Sequence, residues 1–519
     1  MFGILWFGAS PHARGVLRGM KRMGGGDMVE RIVVSPGIEQ QRWRRLTGTW
    51  MMVMLLLFPI LLLLGAFMRI VQANLLPTLL PEWFYAVMTL HGLGMVGTWF
   101  VGAMAAVSYV LTQYVRPSRG VSWAALGATL LGVLLLLATT LIGRFGVGWY
   151  FLYPLPFYPA GVWPTWATWT FLFSLAILGV GWTVWAVDLL RAIAQQYSLR
   201  AALAWHYIRG ETEPEVPPAV LITTVSLISA LSGFLAAVII LVLSFLEWAG
   251  TGFTNDALLM KNLIFFFGHV LVNITMYLGV VLVYDILPRY SGRPWKTNRL
   301  VAIAWNTVLF LVLFAYFHHL YMDFVQPQWM QVLGQVASYF ISVPAAVVTI
   351  FSTLLLTYGA PMRWTLSSLL MYLGVMGWAI GGVAAVIDST IAVNLRFHNT
   401  LWVPAHFHTY YLMGVVLMLL GFAAHFGHEV SGRSENGRLA KLIAALFVIG
   451  GYGFLSMFYL GGAHSVPRRY AVYPQEVIQG VDYARIALGF IAVLFLGVLL
   501  YLWETGRRCV LAFRTSEPL

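Results

Sequence analysis

Long apolar runs dominate the sequence and constrain its fold more than any other feature. Twelve such runs occur, and no connection between them is longer than a loop. Roughly 20 apolar residues suffice for a helix to cross a bilayer. Only 10% of the residues are charged, whereas a soluble chain has about 25%. The sequence therefore predicts an all-α polytopic membrane protein with about twelve transmembrane helices. The runs are centred near residues 58, 98, 132, 177, 233, 274, 310, 346, 378, 413, 449 and 494.

The distribution of basic residues predicts the orientation of these spans. Cytoplasmic loops of membrane proteins are rich in Lys and Arg. If the N-terminus is cytoplasmic, only seven of the 31 Lys and Arg residues fall outside, so both termini are predicted to be cytoplasmic. The net charge of +12 then reflects loops and tails rather than nucleic-acid binding. We expect a basic cytoplasmic tail at 1–44, a twelve-helix core at 45–505 and a second cytoplasmic tail at 506–519.

Six histidines on four of the predicted spans fall at one depth, in the outer third of the membrane. Isolated ionisable residues are rare within spans and mark functional sites. A transporter with a histidine proton relay could use such residues, but a common depth favours a shared metal-binding region. The six are His91, His269, His318, His319, His406 and His408.

The spacing of these histidines suggests how they could bind metal ions. His406 and His408 are two residues apart, roughly 200° around a helix, so they can serve two different metals on opposite sides. His318 and His319 end a span, where both can converge on one metal with His269. Three neutral imidazoles suit copper or iron. The single cysteine, Cys509, excludes Cys-ligated iron–sulfur clusters and a CxxCH haem attachment within this chain.

Five motifs around these residues resemble subunit I of the haem–copper oxidoreductase superfamily. They are LHGLGMVGTW, FFFGHVLVN, AYFHHLYMD, HNTLWVPAHFH and HSVPRRYAVYP. The resemblance covers essentially all twelve spans, and the spacing of spans 6 to 8 looks most like the B-type branch. It implies a core that binds two haems, one low-spin and one high-spin, and one non-haem metal, copper or iron.

The resemblance also implies a role for each motif residue. His91 and His408 would be the axial ligands of the low-spin haem. His406 would be the proximal ligand of the high-spin haem, with His269, His318 and His319 holding the non-haem metal opposite it.

Two pairs of ionisable residues near the outer surface each have two possible roles. Arg468 and Arg469 would pair with haem propionates, a role that suits charge-assisted hydrogen bonds, although an ordinary loop charge pair is the alternative. Asp323 and His398 belong either to the propionate and water region or to simple loop capping.

The sequence departs from the family pattern at one position beside the metal site. Oxygen-reducing members usually carry a tyrosine four residues after the first metal histidine, and nitric oxide reductases carry a glutamate there. This chain has Asn273. Another branch supplies the tyrosine from span 7, where this chain has Val312, and neither Tyr316 nor Tyr277 matches a family position. Asn273 could act as a neutral fourth ligand or as a hydrogen-bond donor.

A second departure affects the expected proton path. Oxygen reductases have a polar residue on span 8, four residues after a helix proline. Counted from Pro344, that position is Val348. Thr349, Ser352 and Thr353 lie close by, so a shifted path remains open, although Ser and Thr are also common in spans for packing.

These features predict the catalytic subunit I of a respiratory terminal reductase in a prokaryotic-type cytoplasmic membrane. Loss of the tyrosine favours reduction of NO to N2O. The alternative is O2 reduction as a cytochrome c oxidase subunit I, with proton pumping left open. A polytopic transporter is a remote alternative. Electrons would come from a membrane-anchored subunit II of cupredoxin or cytochrome c type.

Overall fold

The computed structural model describes residues 37–513, and helices account for nearly all of the regular structure there. One isolated antiparallel bridge, between Thr400 and Pro467, is the only β pairing in that range. From residue 42 onward the described part of the chain forms one compact unit. The long helices are α1 (Ile38–Gln72), α2 (Pro81–Leu111), α3 (Arg119–Leu137), α4 (Thr165–Tyr197), α5 (Pro218–Trp248), α6 (Ala257–Ser291), α7 (Arg299–Leu311), α8 (Gln328–Thr357), α9 (Leu366–Asp388), α10 (Trp402–Tyr410, continuing to Ser431), α11 (Gly437–Ala463) and α12 (Gln479–Tyr501).

Eleven of the described helices are long and apolar enough to cross a membrane, which confirms the predicted all-α membrane class. The seventh predicted span is not one continuous helix. α7 has 13 residues and is followed by a 3₁₀ segment, Ala315–Leu320, of 6 residues. At rises of about 1.5 Å and about 2.0 Å per residue, these two pieces together have roughly the length of a span.

Local sequence signals fix where several helices begin and end. The Asp256 side chain accepts a hydrogen bond from the backbone of α6 at its first turn, and Asn298 does the same for α7. Thr365 and Ser368 form a reciprocal capping box at the start of α9. Gly292 ends α6 with φ of 70°, a conformation that glycine adopts without strain. These caps define the register in which α6 and α7 present their side chains.

α6 and α10 form the centre of the bundle. In an apolar 18-residue segment of each of these two helices, 89% of the residues are buried. The corresponding share is 33% in α1 and 29% in α8. α10 contains a π-helical turn at Tyr411–Val416. Glycines of the Gly-rich ninth span let α9 approach this turn closely. A Cβ at Gly377 would lie 2.0 Å from the Met413 carbonyl oxygen, so a larger residue there would force the two helices apart.

Candidate functional site

The structure brings together the three histidines predicted to hold the non-haem metal. Possible ligand atoms of His269, His318 and His319 all lie within 4.8 Å of one another. His269 comes from α6, and the other two come from the 3₁₀ segment that follows α7. The ring centroids of His318 and His319 are 4.1 Å apart. The donor set and its spacing therefore fit one metal ion held by three imidazoles.

Helix α8 supports this cluster from behind. The Ser338 hydroxyl lies 2.9 Å from Nδ1 of His318 and donates to the carbonyl of Gly334 over 2.6 Å. A Cβ at Gly334 would come within 2.7 Å of Phe317, so glycine is required for this close approach. Hydrogen bonds of this kind orient the imidazoles of metal sites and select their tautomer.

His91 and His408 form a second pair with a different geometry. Their rings are 6.4 Å apart between centroids, with an angle of 16° between the ring planes. Nδ1 of His91 lies 2.8 Å from the Leu61 carbonyl oxygen, and Nδ1 of His408 lies 2.7 Å from the Pro404 carbonyl oxygen. Because each Nδ1–H can donate to a carbonyl, both Nε2 atoms remain available as ligands. Two metal–imidazole bonds of about 2.0–2.1 Å each would occupy most of the space between the rings.

His406 lies on α10 two residues before His408, and its partner is a carboxylate. Nδ1 of His406 is 3.1 Å from Oδ2 of Asp388, the last residue of α9. The Asp388 side chain is only 4% exposed. No pattern in the sequence marks Asp388, because only the fold brings the end of α9 against the start of α10.

One large cavity connects these groups. It has a volume of about 830 Å³ and a predominantly apolar lining. A cavity that offers imidazole nitrogens, apolar walls and cations fits large prosthetic groups with an apolar ring system and acidic substituents. Its lining includes all six histidines together with Asn273, Arg69, Arg468 and Arg469.

Arg468 and Arg469 reach this cavity from the loop between α11 and α12. The backbone N–H of Arg468 donates to the Asn399 carbonyl over 2.8 Å, and its Nη2 donates to the Asn399 side chain over 3.0 Å. Arg469 has φ of 69°, in the left-handed region, and its Cζ lies 3.6 Å from the centroid of the Tyr150 ring. A non-glycine residue held in this conformation often marks a binding site.

Both arginines are half-buried cations that form no ion pair within residues 37–513, and the buried Nε atom of Arg468 has no hydrogen-bond partner there. Burial, followed by the neighbouring charge of Arg469, lowers the pKa of Arg468 to about 9. Burial likewise lowers the pKa of Arg469. Because a buried charge is costly without a counter-charge, this pair fits the carboxylates of a bound group.

A third cation in the cavity was not identified from the sequence. Arg69, near the end of α1, is 8% exposed, and its Cζ lies 4.7 Å from the centroid of the Phe458 ring. Within the described range it forms no ion pair. Its only signal in the sequence is its position in the last turn of an apolar span.

Asn273 has both ends of its amide engaged. Its Nδ2 donates to the His269 carbonyl over 2.8 Å, and its Oδ1 accepts a hydrogen bond from the Tyr277 hydroxyl over 3.3 Å. Nδ2 also lies 3.3 Å from Nδ1 and 3.4 Å from Nε2 of His269. The amide therefore directs a donor, rather than its oxygen, towards the metal-site histidine.

The remaining candidates have structural partners. Asp323 accepts from Lys261 over 2.6 Å, and Tyr316 donates to Asn262 over 3.4 Å. His398 follows the short helix Ile391–Phe397, where burial and then the charge of Arg468 lower its pKa to about 4.

The fold and this constellation define an integral membrane protein with a buried histidine-rich redox centre. A family model described as Cytochrome C and Quinol oxidase polypeptide I matches residues 45–504. The chain belongs to this family: it is a haem–copper oxidase subunit I, and hence an oxidoreductase rather than a transporter. Membership implies haem groups and a copper or other metal site.

Individual relatives agree with this assignment. The chain is 29% identical over 416 residues to a heme-copper oxidase subunit I+III of Aeropyrum pernix, covering 75% of this chain but only 47% of that protein. It is 26% identical over 409 residues to a cytochrome c oxidase subunit 1 of Synechocystis, covering 76% of this chain and 71% of that one. A heme-copper terminal oxidase dimer solved by cryo-EM shares the fold, with a TM-score of 0.71 and 22% identity over 92% of this chain and 85% of the other.

Proposed function

We propose that this chain is the catalytic subunit of a respiratory reductase that converts NO to N2O. The observation that carries the choice of NO is Asn273, which occupies the position beside His269 where an oxidase would have its tyrosine. Coupling two NO molecules to N2O and water consumes two electrons and two protons. Reducing O2 to water consumes four electrons, for which a local tyrosine donor is valuable.

In this proposal His91 and His408 hold a low-spin haem, and His406 holds a high-spin haem. His269, His318 and His319 hold the non-haem metal, copper or iron. When bound, these groups supply the electrons and the coordination site for the gas. The protein orients them: backbone carbonyls orient the first pair, and side chains orient His318 and His406.

The cations of the cavity are assigned to the haem carboxylates. Arg468 and Arg469 would pair with propionates, and Arg69 adds a third cation beside His91 and His408. All three lie within the lining of one cavity. Pairing with a carboxylate would remove the cost of burying each charge, which is why we assign them a binding role rather than that of a loop charge pair.

Asn273 acts in this proposal as a hydrogen-bond donor to the substrate. Its oxygen accepts from Tyr277, so the neutral-ligand alternative would require that bond to break. An amide nitrogen carries two donors, and one of them is used by the His269 carbonyl. The same nitrogen lies 3.3 Å from Nδ1 of His269, and we assign its second donor to a diatomic gas once that ring binds the metal.

Protons would enter between α6 and α8. The Tyr284 hydroxyl and the Thr349 hydroxyl are 3.0 Å apart, and both residues are buried. Val348 occupies the family position, and Thr349 beside it provides the hydroxyl. This supports the shifted path. The electrons would come from another polypeptide, because the one cysteine, Cys509, is too few for a thiolate dicopper centre or a CxxCH haem site within this sequence. We therefore propose a membrane-anchored subunit II as the donor.

O2 reduction is the second candidate, favoured by the names of the relatives, several of which are cytochrome c oxidase subunits. One measurement separates the two. The purified complex is given the same reductant with NO or with O2, and N2O formation, O2 uptake and metal content are measured. N2O formation with little O2 uptake supports the proposal. Fast O2 uptake with negligible N2O would refute it and would make Tyr277 the first residue to examine as an electron donor.

A further inference from the structure

The three histidines proposed to bind haem differ in what accepts the hydrogen bond from their Nδ1–H. His91 and His408 each lie against a neutral peptide carbonyl. His406 lies against the carboxylate of Asp388, with Nδ1 and Oδ2 3.1 Å apart. One chain thus contains both kinds of histidine environment, at the same end of the bundle.

The carboxylate of Asp388 is committed to this contact. Its Oδ1 is buried and has no hydrogen-bond partner, so His406 is the only group that hydrogen-bonds the Asp388 side chain within residues 37–513. The backbone carbonyl of Asp388 accepts from Nδ2 of Asn394 over 2.8 Å, which fixes the end of α9. The backbone that carries the carboxylate is therefore anchored independently of His406.

We infer that Asp388 sets the reduction potential of the metal centre held by His406, through the hydrogen bond from His406 Nδ1–H to its carboxylate. This inference rests on the proposed function only in taking His406 as an iron ligand. Asp388 is a positioning residue, because it acts through the imidazole and touches neither substrate nor metal.

The physical reason is the charge of the acceptor. A hydrogen bond to an ionised carboxylate is stronger than one to a neutral carbonyl, and a carboxylate behind a metal-bound histidine raises the basicity of that ligand. A more basic ligand stabilises the oxidised metal over the reduced one. Hydrogen bonding around the ligands is one of the ways in which a protein tunes a haem. The centre at His406 is therefore expected to have a lower potential than it would have with a carbonyl acceptor.

The decisive variant is Asp388→Asn, which keeps an oxygen acceptor of the same size and removes the charge. Asp323→Asn is the matched control, because Asp323 is a half-buried carboxylate at the same end of the bundle whose partner is Lys261. Each purified complex is titrated spectroelectrochemically, and the iron–histidine stretching frequency of the reduced high-spin haem is recorded by resonance Raman spectroscopy.

We expect Asp388→Asn to raise the high-spin potential, lower the iron–histidine frequency and leave the low-spin haem unchanged. Asp388→Glu keeps the charge and should therefore show smaller shifts of both quantities than Asp388→Asn. Asp323→Asn should shift neither quantity. Asp388→Asn protein with a full haem complement and wild-type values of both quantities would overturn the inference. His406→Ala tests the assignment separately: if that variant retains its high-spin haem, His406 is not the ligand. Loss of the haem in His406→Ala with no shift in Asp388→Asn would refute the inference alone.

Discussion

The hydroxyl of Tyr277 donates a hydrogen bond over 3.3 Å to Oδ1 of Asn273, which lies one helical turn earlier in α6. Tyr277 is 2% exposed and packs edge-on against Trp305, with 5.5 Å between the ring centroids. A tyrosine is therefore present near the metal-site histidines, but it reaches them only through an amide. An amide carbonyl is a poor proton acceptor, so this arrangement orients Asn273 rather than replacing the missing tyrosine.

Two substitutions test this relationship. We expect Asn273→Leu to lower NO turnover by about 10–100-fold, the usual effect of removing a group that supports a metal site. Tyr277→Phe should leave turnover within a few-fold of wild type and cost about 0.5–1.5 kcal/mol of stability, the net value of one hydrogen bond. Steady-state N2O formation and thermal unfolding are the measurements. A Tyr277→Phe variant without activity but with full metal content would contradict this assignment.

The pairing of His91 with His408 predicts a selective spectral loss. His408→Ala should remove the low-spin haem spectrum and leave the high-spin haem in place. His425→Ala is the matched control, because His425 is also on α10 but lies far along the helix, with its Nδ1 2.9 Å from the Tyr290 hydroxyl. Haem content and optical spectra of the two variants decide the question. An unchanged low-spin spectrum in His408→Ala would show that the pair has another purpose.

Support of the metal cluster by Ser338 predicts a loss of metal affinity. Removing its hydroxyl in Ser338→Ala frees Nδ1 of His318, which should weaken binding of the non-haem metal by about 10–100-fold. Ser342→Ala is the control: Ser342 is one turn further along α8, and among the described residues its hydroxyl bonds to the Ser338 carbonyl and not to a histidine. Metal content after dialysis against a graded chelator series measures the effect. Equal retention in both variants would argue against this role.

Arg69 is predicted to act on the low-spin haem. Because it is a buried cation beside His91, Arg69→Gln should lower the potential of that haem and leave the high-spin haem unchanged. Arg485→Gln is the control, since Arg485 is half exposed and pairs with Asp482. A redox titration with separate low-spin and high-spin signals provides the comparison. Identical titrations of the two variants would place Arg69 outside the haem environment.

The half-buried His398 predicts how stability depends on pH. Its pKa is lowered to about 4 in the folded chain, whereas an unfolded histidine titrates near 6.5. Between these values the unfolded state binds a proton that the folded state does not, so stability should fall as the pH drops from about 6.5 towards about 4. His398→Gln should flatten this part of the curve. Thermal unfolding in detergent between these pH values is the test, and parallel curves for the variant and wild type would refute it.

The sequence was most informative for two features: the spans, which follow from the apolar runs, and the histidine cluster, which follows from the common depth of its members in the membrane. Eleven spans and the meeting of His269 with His318 and His319 are confirmed as geometry, whereas the ligand roles of all six histidines stay predictions. The break in the seventh span was not predicted, because hydropathy does not distinguish an α-helix from a 3₁₀ segment of equal apolarity. Arg69 and Asp388 were missed because their importance depends on which helices become neighbours, and that is a property of the fold.

The π-helical turn Tyr411–Val416 divides α10 into two halves. A π turn accommodates one more residue than a regular α-helical turn, and each residue of an α-helix advances the chain by about 100° around the axis. The half that carries His406 and His408 is therefore rotated relative to the half that carries His425 and Glu429. Deleting one residue from the turn would keep the composition and length of the span nearly unchanged. It would nevertheless rotate the second half of α10, so that His425 no longer faces Tyr290. A single inserted residue therefore allows both halves of the helix to face their present partners.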